Sequence, residues 1–202
     1  MGSLRRRDML RLLASAPMAA GFVWTPADAS AASDLAQAAQ QAVARGTPFV
    51  PKFFTANEWD TVRVLVDLII PRDERSGSAT DAGVPEFMDF MMLDQPIRQI
   101  AMRGGLAWLD LECQTRFDKT FLACEAPERT ALLDDLAWPQ RAKAEHRHGV
   151  AFFSSFRDLT AAGFWTSKIG IDDLQYMGNR SVARWTGCPP PALEKLGVKY
   201  SD

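Results

Sequence analysis

The chain has 202 residues, of which 47% are hydrophobic and 24% charged, and its formal net charge is -2 at pH 7. This composition is typical of a folded globular protein, and the length suits one domain around one hydrophobic core. The slightly acidic balance argues against a broad phosphate-binding surface, so nucleic acid is not an expected partner.

The first 31 residues have the pattern of an export signal. A basic start is followed by an uncharged run at residues 12–24 and then by a small-residue segment with an A-x-A cleavage pattern. The residues that carry this prediction are Arg6, Arg7 and Leu10 for the signal, and Ala27 and Ala29 for the cleavage. The paired arginines resemble a twin-arginine signal. The alternative is an uncleaved anchor or a basic amphipathic tail.

A twin-arginine signal predicts export to the periplasm by the route that moves folded proteins. Exported proteins usually need this route when a cofactor must be inserted in the cytoplasm, or when they cross bound to a cofactor-loaded partner. The sequence contains no G-x-G-x-x-G, no phosphate-binding P-loop and no C-x-x-C-H haem motif. We therefore expect no cofactor in this chain and a partner that carries one.

Residues 32–54 are predicted to form an arm between the signal and the main domain. This segment starts rich in Ala and Gln, and Pro48 and Pro51 near its end block a continuing helix. We expect the arm to be extended or partly helical. The main domain is then predicted at residues 55–202.

The first helix of the main domain is predicted at residues 56–70. Thr55 and Glu58 have the spacing of a capping box, and apolar residues follow at helical intervals. Pro71 ends this helix because a proline cannot continue it.

Prolines and glycines divide the rest of the domain into further helices. Pro85, Pro96 and Pro127 each lie near the start of a predicted helix. Gly104 and Gly105 indicate a kink or a close approach between two helices. Sustained two-residue alternation is missing, so we predict an all-α, irregular helical bundle in a single domain.

Metal-binding and catalytic patterns are weak. His146 and His148 are the only histidines, and their spacing places them on different sides of a helix, so a solvated linker is the better interpretation than a metal site. The neighbouring carboxylates Asp172 and Asp173 are interpreted as solvated or capping residues. Neither G-x-S-x-G nor a Cys–His arrangement is visible. We predict no catalytic residue and no metal ligand.

The chain has three cysteines, Cys113, Cys124 and Cys188. In an oxidising compartment they allow one disulfide and one remaining thiol. Cys113 and Cys124 can pair across a helix bend, and Cys188 can pair instead, either internally or with another chain. The sequence leaves this pairing open.

The C-terminal stretch at residues 164–191 combines aromatic residues, glycines and prolines. A short helix is predicted to begin at Asp172 and Asp173 and to end at Gly178. Aromatic and arginine residues are enriched at protein interfaces, so we predict a docking surface here. The predicted contact residues are Trp165, Tyr176, Asn179, Arg180 and Trp185. The alternative is that these aromatic residues close the domain's own core.

Several stretches of this chain resemble the gluconate 2-dehydrogenase subunit 3 family. The resemblance lies at residues 53–92, 105–110, 152–170, 173–179 and 185–188. The first of these stretches and the S-x-x-G…Y-x-G-N pattern of the third and fourth are specific in combination. The middle section, residues 112–130, does not match closely.

The resemblance implies a non-catalytic, mostly helical subunit bound to a large FAD-dependent flavoprotein of the glucose-methanol-choline type. That flavoprotein would oxidise a sugar or sugar acid and pass electrons to a cytochrome c that carries haem c. This chain would supply the export signal and would chaperone and stabilise its partner, and it would meet the membrane only indirectly through the complex.

Two other functions remain open at this point. One is a stand-alone exported enzyme that uses carboxylates and Tyr176 for acid–base chemistry. The other is a module that docks the dehydrogenase to its cytochrome without a role in folding.

Overall fold

The computed structural model describes residues 26–44, 49–176, 178, 183–184 and 187–200. These residues form eight α-helices and no strand, which confirms the predicted all-α fold. The helices are α1 (Pro26–Ala44), α2 (Ala56–Ile69), α3 (Val84–Asp94), α4 (Gln99–Phe117), α5 (Ala126–Ala137), α6 (Arg147–Thr166), α7 (Lys168–Asp173) and α8 (Pro190–Leu196). Short 3-10 turns at Pro96–Arg98 and Ala144–His146 precede α4 and α6. Within these ranges, no helix combines the length and the apolar character needed to cross a membrane.

Helix α6 is the centre of the bundle, because it contacts α1, α2, α3, α4, α5 and α7. Its Phe156 and Leu159 are fully buried, and they join one core with Val62 of α2, Phe87 of α3 and Leu109 of α4. Burying each such side chain stabilises the fold by about 1.5–3 kcal/mol. One helix surrounded by six others gives an irregular bundle rather than a symmetric four-helix arrangement.

Helix α1 occupies most of the segment predicted as an arm. It is helical up to Ala44 and packs on α3 and α6, because alanines favour a helix and let it approach its neighbours closely. Ala32 and Ala36 are buried, and the Ser33 hydroxyl donates a hydrogen bond to the Thr166 carbonyl oxygen at 2.8 Å. The helix ends at Ala44 and residues 49–54 are not helical, so this segment is helical over only part of its length.

The two predicted cleavage residues lie in the first turn of α1. Ala27 is exposed, whereas Ala29 is buried. Cleavage of the signal remains a prediction, and Arg6, Arg7 and Leu10 lie outside the described residues.

The predicted capping box begins α2. The Thr55 hydroxyl accepts from the Glu58 backbone N–H at 3.3 Å, and the Glu58 carboxylate accepts from the Thr55 N–H at 2.8 Å. Arg103 of α4 donates to both Glu58 carboxylate oxygens at 2.8 Å. The start of α2 is thus joined to α4, a contact that the local sequence pattern does not reveal.

A buried carboxylate, Asp89 of α3, fixes the segment that leads into α2. Its oxygens accept backbone hydrogen bonds from Lys52, Phe53 and Phe54 at 2.9, 2.9 and 3.1 Å. Asp89 is completely shielded from solvent. The guanidinium group of Arg103 lies over the Phe53 ring, 4.5 Å from its centroid. Sequence analysis did not single out Asp89, because its partners are more than thirty residues away.

The pair Gly104–Gly105 marks a close approach and not a kink, because α4 continues unbroken through both residues. A Cβ atom on Gly105 would lie 1.8 Å from the Phe152 ring of α6. A Cβ atom on Gly104 would meet no atom within 4 Å. Only Gly105 is therefore required by the packing of α4 on α6.

Candidate partner-binding surface

The turn between α6 and α7 is built by Ser167 and Gly170, which we call the α6–α7 corner. The Ser167 hydroxyl accepts from the Gly170 backbone N–H at 3.1 Å and donates to the Phe164 carbonyl oxygen at 2.7 Å. A Cβ atom on Gly170 would lie 2.0 Å from that same carbonyl oxygen. The S-x-x-G pattern noted in the sequence therefore encodes a capped, tightly packed corner.

Helix α7 is braced from outside by Arg75. The Arg75 guanidinium lies 3.0 Å from the Asp173 carboxylate and donates to the Asp173 backbone carbonyl oxygen at 2.8 Å. Arg75 belongs to a turn in which Asp73 accepts the backbone N–H groups of Ser76 and Arg75. These two hydrogen bonds stabilise the ionised carboxylate and lower the pKa of Asp73. The polar loop before α3 thus holds α7 in place.

The predicted boundaries of the helix in this region are wrong. We expected Asp172 and Asp173 to begin a helix, whereas α7 ends at Asp173. Ser167 caps an earlier start, and Gln175 adopts a left-handed conformation (φ 54°) that stops the helix before Gly178. Gly178 itself has φ 76°, which fits the predicted turn.

Large apolar side chains remain partly exposed at this corner. We define the α7 surface as Trp165, Ile171, Leu174 and Tyr176. Trp165 is 39% exposed and Tyr176 is 58% exposed. The Trp165 ring packs edge-on against the buried Phe164 ring, with the ring centroids 4.9 Å apart. Four large apolar residues on a rigid support are typical of a protein-binding surface.

Two of the five predicted contact residues, Trp165 and Tyr176, therefore lie on the α7 surface. Ile171 and Leu174 are additions that sequence analysis missed, because their exposure depends on how the helices pack. Asn179, Arg180 and Trp185 lie outside the described residues, so their contact with a partner remains a prediction.

The structure brings Cys113 and Cys124 together in the core. Both are buried free thiols, whereas Cys188 is exposed. Burial, together with the adjacent Cys124 thiol, raises the pKa of Cys113 to about 12. A disulfide between the two buried residues remains a prediction.

We expect one fast-reacting thiol in the native, fully reduced chain at pH 8. Cys188 should react first with a disulfide reagent, because the thiolate is the nucleophile and Cys113 stays protonated and shielded. The release of thiolate can be followed by absorbance, with and without guanidinium chloride. The Cys188→Ser variant should lose the fast phase. A fast phase that survives this substitution would show that Cys113 or Cys124 is accessible to the reagent, against their buried position in the structure.

His146 is not part of a solvated linker, so that interpretation is wrong for this residue. It is buried at the start of α6, and its Nε2 atom lies 3.1 Å from Arg116 and 3.4 Å from Glu112. Arg116 also donates to Asp135 of α5 at 2.7 Å, so these polar groups connect three elements. His148 is exposed. Among the residues that the structure describes, no group of three or more potential ligands is arranged to hold a metal ion.

Comparison with known proteins gives one match. The family model described as gluconate 2-dehydrogenase subunit 3 matches residues 56–184, which is more than half of the chain. The matched region begins at α2 and includes the α6–α7 corner. No curated protein and no solved structure matches this chain.

Proposed function

This chain belongs to the gluconate 2-dehydrogenase subunit 3 family, and we propose that it is the accessory subunit that exports and stabilises a FAD-dependent dehydrogenase. The catalytic partner would be a large flavoprotein of the glucose-methanol-choline type that oxidises a sugar or sugar acid. FAD and haem c would be bound by partner subunits, and electrons would pass from the flavoprotein to a cytochrome c. Arg6 and Arg7 would direct the complex to the periplasm by the twin-arginine route.

The observation that carries this proposal is the α7 surface, which lies inside the region matched by the family. Its aromatic residues sit on a corner fixed by the Ser167 cap and by the Arg75–Asp173 pair. A surface that is already rigid loses little conformational freedom when a partner binds, so more of the contact energy appears as affinity. Such a surface suits a protein partner.

Binding of this kind would explain a stabilising role. A subunit that binds only the folded flavoprotein shifts its folding equilibrium by mass action. At a concentration one hundred times the dissociation constant, the stabilisation is about 2.7 kcal/mol. The flavoprotein would then remain folded with its FAD during export.

Co-expression of the flavoprotein with and without this chain tests the proposal. We expect flavin-dependent dehydrogenase activity in the periplasm only when both are present, and we expect the two to co-purify. Full periplasmic activity without this chain would contradict the proposal. Normal activity with a dye acceptor but no cytochrome reduction would instead favour a docking module. Turnover of sugar by the purified chain alone would establish an enzyme.

Alanine substitutions on the α7 surface should weaken the complex. We expect Trp165→Ala and Tyr176→Ala to raise the dissociation constant at least tenfold each, since interface aromatic residues often contribute about 2 kcal/mol or more. Titration of purified flavoprotein by calorimetry measures this. Trp138→Ala is the matched control, because Trp138 is an exposed tryptophan at the end of α5. A large loss of thermal stability in the variants would show that these residues serve the fold instead.

A further inference from the structure

The outward side of α4 carries a second apolar surface. Ile97, Ile100 and Leu111 are 89%, 77% and 65% exposed, and Gly104 and Ala107 between them are also exposed. We call these five residues the α4 stripe. Uncharged residues thus run along the solvent side of this helix and the turn before it.

The spacing of the α4 stripe matches a helix-packing seam. Its members alternate at intervals of three and four residues, which places them on one face of a helix in a coiled-coil pattern. The opposite face of α4 is buried in the core through Met102, Leu106 and Leu109. A helix that is apolar on two opposite faces is normally covered on both. In the described structure only the inner face is covered.

The shape of the stripe suits another helix. Large side chains stand at its two ends and small residues lie at its centre, where the space above Gly104 is open. Small residues allow two helix backbones to approach closely, and the large ones can pack to either side. From Ile97 to Leu111 the stripe is about 21 Å long at 1.5 Å per residue, or roughly four turns.

The charges beside the stripe are already occupied within the chain. Arg103 donates to Glu58 and to the Phe53 carbonyl oxygen, and the Asp110 carboxylate accepts from the Phe121 backbone N–H. Neither group is a strong attractor for a charged peptide. The stripe therefore favours an apolar helix.

The size of the stripe limits what can bind there by this surface alone. A stable protein interface uses about 20–30 residues on each side, whereas the stripe offers five. A second copy bound through this stripe alone would form a contact too small to persist. The stripe is therefore one part of a larger interface, and a partner that also binds the α7 surface would supply the remaining area.

We propose that the α4 stripe receives an apolar helix of the dehydrogenase subunit, as a second contact in addition to the α7 surface. This inference rests on the proposed function, because that function supplies the partner. Two contacts on one rigid partner reinforce each other, since the second forms at a high effective concentration once the first is made.

Charged substitutions in the stripe test this inference in the co-expressed complex. We expect Ile100→Glu and Leu111→Glu to reduce the flavoprotein that co-purifies with tagged chain at least tenfold. Leu35→Glu is the matched control, because Leu35 is an exposed leucine on α1. The melting temperature of each isolated variant should equal that of the wild type, since these side chains face solvent. If the Leu111→Glu variant retained as much flavoprotein as the wild type, the inference would be overturned and the proposed function would remain intact.

A photo-crosslinking amino acid at the exposed position of Ala101, beside the stripe, identifies the occupant. We expect a crosslink to a helix of the flavoprotein. A crosslink between two copies of this chain, or to residues 12–24 of the same chain, would overturn the inference. If the wild-type chain does not co-purify with the flavoprotein at all, the proposed function fails first and this inference fails with it.

Discussion

Replacement of Asp89 by alanine is expected to lower the free energy of unfolding by about 3–5 kcal/mol, because each buried donor left without an acceptor costs roughly 1–3 kcal/mol. Three backbone N–H groups, those of Lys52, Phe53 and Phe54, would lose their acceptor. The last two are buried, so water cannot replace the carboxylate. Urea denaturation followed by circular dichroism measures the loss.

The Asp89→Asn variant separates the charge from the shape of the side chain. An amide oxygen still accepts hydrogen bonds, but the amide nitrogen cannot, so we expect a smaller loss of about 1–3 kcal/mol. The start of α2 should also become less stable, because Asp89 fixes the segment that leads into this helix. An alanine variant as stable as the wild type would show that the segment is held by its phenylalanines alone.

Alanine substitutions at the two adjacent glycines of α4 should change the stability of the chain in opposite directions. Gly105→Ala is expected to destabilise the chain by about 1–3 kcal/mol, because the added methyl group overlaps the Phe152 ring and forces α4 and α6 apart. Each kcal/mol lowers the melting temperature by roughly 2–4 °C in a chain of this size. Differential scanning calorimetry of the isolated chain measures the change.

Gly104→Ala is the matched control one residue away. The methyl group enters open space, and alanine has a better helix propensity, so we expect a gain of about 0.4–1 kcal/mol. Equal effects at the two positions would mean that α4 does not pack on α6 through Gly105. The pair therefore tests the central helix contact of the bundle without altering any polar group.

Features set by neighbouring residues were predictable from the sequence. The capping box of Thr55 and Glu58 forms as expected, and α2 ends one residue before the predicted boundary. Pro85 lies in the first turn of α3, and Pro96 begins the 3-10 turn before α4. These signals work because a helix start depends on hydrogen bonds within one turn and on the missing N–H of proline.

Features set by distant residues were missed or misplaced. His146 was predicted to be solvated, but it is buried next to Arg116 and Glu112 of α4. The start of α7 is a local exception, because the Ser167 cap involves only Phe164 and Gly170, each three residues away, and the predicted start at Asp172 and Asp173 overlooked it. The length of α1 also depends on its packing against α3 and α6, and the helix ends at Ala44, before Pro48 and Pro51.

The sequence alone determined the all-α class and the starts of several helices, because these depend on periodicity, caps and turn residues that are close together along the chain. Its resemblance to known proteins indicated the family. Tertiary structure decided which of two adjacent glycines is packed, which carboxylate is buried and which apolar residues face solvent. The Asp89 hydrogen bonds to Phe53 and Phe54 join residues 36 and 35 positions apart, and the Ser33 bond to Thr166 joins residues 133 apart. Burial results from such long-range contacts, so the α7 surface and the α4 stripe became visible only once the helices were packed.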